Sequence, residues 1–121
     1  EKMLQCFMVG LGGGIGAIFR YLLGKIQFPF ETAFPIMTLC INFMGAFVMG
    51  LVVSGAIKYT KENTILFLKT GLCGGFTTFS TFSLESITLL EQKNTITAFC
   101  YIASSILFCM VGVWLGKKVL S

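Results

Sequence analysis

The chain has 121 residues, 55% of them hydrophobic and 12% charged. Soluble domains carry about 25% charged residues, so a separate soluble domain is excluded and one membrane domain over 1–121 is expected. The net charge of +4 comes from basic residues at the ends of apolar stretches rather than from a cluster, which excludes a nucleic-acid footprint.

The first predicted span runs from Met3 to Leu23. Its only charge is Arg20, near its end, and it contains Gly10, Gly12, Gly13, Gly14 and Gly16. Gly10/Gly14 and Gly12/Gly16 are two overlapping GxxxG pairs, a spacing that lets helices approach closely in lipid. Gly12, Gly14 and Ala17 also match G-x-G-x-x-A. No βαβ unit surrounds them, so a dinucleotide fingerprint is rejected. No separate targeting segment is expected, because more apolar spans follow rather than a soluble domain.

A turn-rich link, Gly24 to Pro35, holds Pro29 and Pro35. Span two is Ile36 to Ile57, with Asn42 well inside it, and a polar loop covers Lys58 to Asn63. Span three is Thr64 to Leu90, with a helix break expected near Cys73 to Thr78. Gly74-Gly75 is its expected cause, since glycine weakens a helix interior. After a turn at Glu91 to Asn94, span four is Thr95 to Gly116, ending at Lys117-Lys118. Each span meets the roughly 20 residues a bilayer core requires. No internal repeat is evident.

Lys2, Lys58, Lys61, Lys69, Lys117 and Lys118 fall on the side of the termini. Arg20, Lys25 and Lys93 fall on the other. The bias favours cytoplasmic termini but is weak enough to permit insertion both ways. Cys6, Cys40, Cys73, Cys100 and Cys109 lie in apolar segments without a CxxC pair, and are expected to be small buried hydrophobes without disulfides. There is no histidine, no intramembrane carboxylate pair and no nucleophile beside a base. An enzyme is not expected; transport is the natural class.

The run Gly74-Gly75-Phe76-Thr77-Thr78-Phe79-Ser80-Thr81-Phe82-Ser83 is uncharged and rich in hydroxyls and rings. Broken backbone at membrane depth is tolerated only where it is buried in protein or lines a polar cavity. Phe79 and Phe82 either pack against neighbouring helices or turn partly positive ring edges toward an anion. The hydroxyls of Thr77, Thr78, Ser80, Thr81 and Ser83 either bond the carbonyl four residues back or belong to a site. Carbonyls freed at a helix break can coordinate Na⁺. Asn42 either bonds between helices or donates N–H to a passing anion. Tyr101 and Ser105, four apart, share a face of span four, and Ser104 adds a hydroxyl. Arg20 either snorkels or sets a positive potential in a vestibule. Glu85 either meets water in a vestibule or pairs with a basic side chain.

The run from Gly74 to Ser83 resembles the signature of the Fluc (CrcB) fluoride channels. The glycine-rich first span ending Arg20-Tyr21, Asn42 followed by Gly45 and Gly50, and Tyr101 with Ser105 fit the same pattern. The resemblance implies an all-α membrane protein of four helices per subunit, the third broken mid-membrane. It implies an antiparallel dual-topology dimer in the cell membrane, with two fluoride pores at the interface, relieving fluoride toxicity. Phe79 and Phe82 would line the pores, joined by Asn42, Thr81, Tyr101 and Ser105, with Arg20 in the vestibule. A structural Na⁺ at the dimer centre would take the backbone carbonyls of Gly74 and Thr77. If a pore-facing hydroxyl belongs at Cys109, the polar track is thinner here. The lysine bias leaves open a homodimer or a heterodimer with a paralogue.

Two other classes compete. A small dual-topology multidrug-type exporter has a similar length, but a carboxylate in span one is part of that resemblance, and none lies between Met3 and Leu23. A non-conducting membrane interaction protein would use the glycines for packing alone. It would have no need of Asn42, the hydroxyl-rich break and the paired phenylalanines together.

Overall fold

A computed structural model describes residues 1–54 and 61–119; Lys58 and the predicted tail of span two at 55–57 lie outside the described residues. Helices form all the regular structure, with no strand among the described residues. In chain order they are α1 (Lys2–Gly24), α2 (Ile36–Val53), α3 (Glu62–Ile65), a π-helical stretch (Leu66–Cys73), α4 (Gly74–Phe76), α5 (Phe79–Glu91) and α6 (Thr95–Val119). α1, α2 and α6 are each long and apolar enough to cross a membrane. The predicted third span is one helix from Glu62 to Phe76, then an interruption, then α5.

Helix ends follow local chemistry. α2 is described to Val53, and there the Ser54 hydroxyl and amide both turn back to the Leu51 carbonyl. α6 runs past the predicted Gly116 through Lys117 and Lys118, where positive charge suits the negative end of the helix dipole. The turn after α5 is a Schellman motif: the Asn94 amide donates to Leu89 O at 2.9 Å and the Lys93 amide to Leu90 O at 3.0 Å. Lys93 occupies the left-handed position of that motif, with φ 65°.

Lipid tails are as apolar as leucine, so helices in a membrane gain little by hiding apolar side chains from each other. The fold matches that constraint. Among the described residues only a few hydrophobic side chains are buried, including Ile41, Leu89, Ala98 and Tyr101, while Phe7, Ile18, Leu107 and Met110 face outward. Cys6, Cys40 and Cys100 are exposed and Cys109 is half-buried, so of the five cysteines only Cys73 is the buried hydrophobe expected. An outward thiol costs little against lipid.

Close backbone contact replaces side-chain burial. A Cβ at Gly12 would strike the Phe67 carbonyl, and one at Gly16 would strike the Leu72 carbonyl and come within 2.8 Å of the Phe76 amide nitrogen. α1 therefore lies directly on the π-helical stretch and α4. α2 and α6 touch the same way, where a Cβ at Gly50 or Gly116 would enter the other helix's backbone. Of the two GxxxG pairs in α1, Gly12/Gly16 makes the seam; Gly10 and Gly14 have open space around them.

Candidate functional site

The interruption lies at the C-terminal edge of the expected window and has a different cause. Gly74 is helical, with φ −63° and ψ −40°. Thr77 (φ −81°, ψ 158°) and Thr78 (φ −147°, ψ 119°) are the residues that leave the helix. Gly75 is there for contact: a Cβ on it would strike the Gly13 carbonyl and lie 2.8 Å from the Gly13 Cα. The double glycine thus lets span three approach α1, and the break follows two residues later.

Every polar backbone group at membrane depth needs a partner, and the hydrogen bonds around the break show how these are arranged. The Thr77 amide and hydroxyl both donate to Cys73 O, at 3.0 and 2.9 Å. The Thr78 amide, which in a continuing helix would reach Gly74 O, donates instead to Asn42 Oδ1 at 2.8 Å. Asn42 Nδ2 returns a bond to Thr78 O at 3.0 Å. The Thr81 amide, which would otherwise reach Thr77 O, donates to the Thr78 hydroxyl at 3.1 Å, making Thr78 the N-cap of α5. Arg20 Nε donates to Gly75 O at 3.2 Å. The carbonyls of Gly74 and Thr77 are thus the two whose helical amide partners have been drawn to side chains.

Beside the break, a groove of about 420 Å³ runs between α2, α5 and α6. Asn42, Gly45, Thr77, Thr78, Phe79, Phe82, Ser105 and Cys109 line it, together with apolar residues of α2 and α6. The Phe79 and Phe82 ring centroids are 5.5 Å apart. Phe79 is 79% exposed on the isolated subunit. Ser105 is buried, and its hydroxyl is without a partner among the described residues.

The expected site residues therefore divide. Asn42, Phe79, Phe82, Ser105 and Thr77 meet at the groove. Tyr101 lies behind it, fully buried, its ring 5.2 Å from that of Phe82. Thr81 gives the break its amide and is not in the groove wall. Arg20 sits on the far side of the break, against α4. Tyr101 and Ser105 do share the buried face of α6.

Among the described residues, Glu85 is held by hydroxyls rather than by a basic side chain. Its two oxygens accept from the Thr38 hydroxyl at 3.0 Å and the Tyr101 hydroxyl at 2.8 Å. Both donors are buried, so two neutral hydroxyls hold the carboxylate between α2 and α6. Phe34, from the link before α2, closes this cluster edge-on to Tyr101 at 5.5 Å. Sequence reasoning missed Thr38 and Phe34, and the one available signal was the need of an intramembrane carboxylate for donors.

Three apolar helices of spanning length, with a hydrogen-bonded helix break and a groove beside it, define a multi-pass membrane protein. Residues 7–117 match the family model described as CrcB-like protein, Camphor Resistance (CrcB). The chain belongs to this family. It is 42% identical to a protein of Ruminiclostridium cellulolyticum named fluoride-specific ion channel FluC, over 98% of this chain and 94% of that one. Proteins of the same name from Azobacteroides pseudotrichonymphae and Flavobacterium psychrophilum are 40% and 38% identical, covering 93% and 94% of this chain and 92% and 94% of their own lengths. These relatives are named as ion channels, not enzymes.

Proposed function

We propose that the chain is the subunit of a fluoride-selective channel in the cell membrane, letting fluoride leave passively and so relieving its toxicity. The observation that carries this reading is the groove. Its described lining offers an anion several modest partners and no fixed positive charge: the rings of Phe79 and Phe82, the Asn42 amide and the Ser105 hydroxyl, which is without a partner among the described residues. A strongly hydrated ion must exchange its water for donors strong enough to admit it and weak enough to release it. The N-terminus of α5, at Thr78, adds the positive end of a helix dipole beside the rings.

In this reading the interrupted stretch from Glu62 to Glu91 also crosses the membrane, giving four spans per subunit. Two subunits assemble antiparallel, either as a homodimer or with an oppositely oriented paralogue. The outward-facing Phe79 then meets the partner, and each groove is completed into a pore at the interface. Tyr101 and Thr81 serve the same pathway from behind the groove, Tyr101 through its ring contact with Phe82. The carbonyls of Gly74 and Thr77, deprived of their helical amides, suit a hard cation that takes oxygen ligands, and support a structural sodium ion shared at the dimer centre. When bound, that ion supplies positive charge close to the anion path and a tie between subunits.

The test is fluoride efflux from liposomes carrying the purified protein, read with a fluoride electrode and compared with chloride. Fluoride-selective efflux is expected. Phe82→Leu and Phe79→Leu should each slow it by about tenfold or more, the loss of an electrostatic contact of about 1.4 kcal/mol at the rate-limiting position, with the dimer intact. Equal fluoride and chloride rates, or unchanged efflux in both variants, would overturn the reading.

A further inference from the structure

The Arg20 side chain turns onto the backbone of a neighbouring helix. Gly12, Gly16 and Arg20 recur every four residues along one stripe of α1. The two glycines bring its backbone against the π-helical stretch and α4, and Arg20 ends the stripe on the Gly75 carbonyl, 3.2 Å from its Nε. The helix from Glu62 to Phe76 ends there, so its last carbonyls carry the negative end of the dipole. The helical donor for Gly75 O would be the Phe79 amide, which lies across the break as the first residue of α5. A half-buried guanidinium takes that amide's place.

We propose that Arg20 is a positioning residue for the helix break. By occupying the Gly75 carbonyl it fixes the end of α4 on α1. It also keeps the Gly75 carbonyl apart from those of Gly74 and Thr77, the two whose helical amide partners are drawn to side chains. The second half of this role rests on the sodium reading above; the first does not. Arg20 thus acts on the groove indirectly: α4 carries the break, the break carries the Thr78–Asn42 pair, and that pair borders the groove.

Arg20→Ala and Arg20→Lys, reconstituted as full-length protein in lipid, separate positioning from simple charge. Three readouts are taken: hydrogen exchange at the Thr77 and Thr78 amides, the sodium concentration giving half-maximal thermal protection, and fluoride efflux as a function of fluoride concentration. Arg20→Ala should speed exchange at both amides about tenfold, the equivalent of one charge-assisted hydrogen bond. It should raise the sodium midpoint and lower maximal efflux, with half-saturating fluoride unchanged. Arg20→Lys, which keeps a charged donor, should recover most of the exchange protection, and it decides the question should the alanine variant not fold. Unchanged exchange and sodium midpoint, with a rise in half-saturating fluoride that salt abolishes, would overturn the proposal in favour of a vestibule charge. A native protein indifferent to sodium would sink the sodium reading, and amide exchange would still decide the positioning role.

Discussion

The two sides of the helix break are held by opposite means. On the Glu62–Phe76 side, Gly71 and Gly75 meet Gly12, Gly13 and Gly16 backbone to backbone. On the α5 side, contact is made by side chains: Thr38 and Tyr101 on Glu85, Phe82 on Tyr101, Asn42 on Thr78. The first arrangement has no side chain that can rotate out of the way, so it tolerates no added atom. The second consists of separate bonds and ring contacts, each removable at its own cost. A site that must exchange partners with a passing ion is better built on the second kind of support, with the first as its anchor.

The largest expected effect comes from filling the glycine seam. Gly75→Val and Gly16→Val place methyl groups against fixed backbone and should cost about 3 kcal/mol or more, read as a loss of thermal stability in detergent. Gly14→Ala, which meets open space, should leave subunit stability unchanged or raise it by up to about 1 kcal/mol, since alanine is the better helix former. Equal damage from Gly14→Ala would mean that close approach is not what the seam glycines provide. Next is Asn42→Ala, which strands the Thr78 amide and carbonyl together. Its cost should be about 2–3 kcal/mol, with faster exchange at the Thr78 amide than at Thr77, whose bond to Cys73 is untouched. Equal exchange at both amides would argue that Asn42 does not hold the break.

These contrasts explain how much was legible in the sequence. The spans were legible because a bilayer demands long uncharged runs, and α1, α2 and α6 match them within a few residues. The break was legible as a region, because hydroxyls and glycines concentrate there. Its cause was not: a double glycine looks the same whether it loosens a helix or admits a neighbouring backbone, and only the position of Gly13 against Gly75 decides. Asn42, Phe79, Phe82 and Ser105 line one groove, and each is conspicuous in an apolar span. The partners of Glu85 and Arg20 were not legible, because the bonds to Thr38 and Gly75 span 47 and 55 residues and depend on how the helices are arranged. Nothing in Leu66–Cys73 announces π-helical bonding, and its composition offers no physical account of it.

Tyr101→Phe tests the side-chain-held half at a smaller scale. It removes one of the two donors to Glu85 and keeps the ring contacts with Phe82 and Phe34. A hydrogen bond to a charged group is worth about 1.5–3 kcal/mol, so a loss near 2 kcal/mol is expected, measured by chemical or thermal unfolding in detergent. Thr38→Val removes the other donor and should cost a similar amount. Combining the two should cost more than their sum, because the carboxylate is then left without either donor. Strict additivity would mean that Glu85 finds another partner, such as water.

The smallest effect has the opposite sign and lies in the turn that leads out of α5. Lys93 adopts φ 65°, a left-handed conformation that costs a side-chain-bearing residue roughly 1–2 kcal/mol relative to glycine. Lys93→Gly should therefore stabilise the fold by about 1 kcal/mol or slightly less, since glycine also gains freedom in the unfolded chain. Lys93→Asn should gain a smaller part of this, because asparagine enters the left-handed region more readily than lysine. Both variants remove the same charge and so alter the lysine balance across the membrane equally, which leaves their difference in stability to the backbone alone. A glycine added here should help, where a glycine replaced at position 75 should be ruinous. The same residue type serves conformational freedom in the α5–α6 turn and closeness in the α1 seam. If Lys93→Gly destabilised the fold instead, the lysine side chain would have to contribute more than its backbone conformation costs.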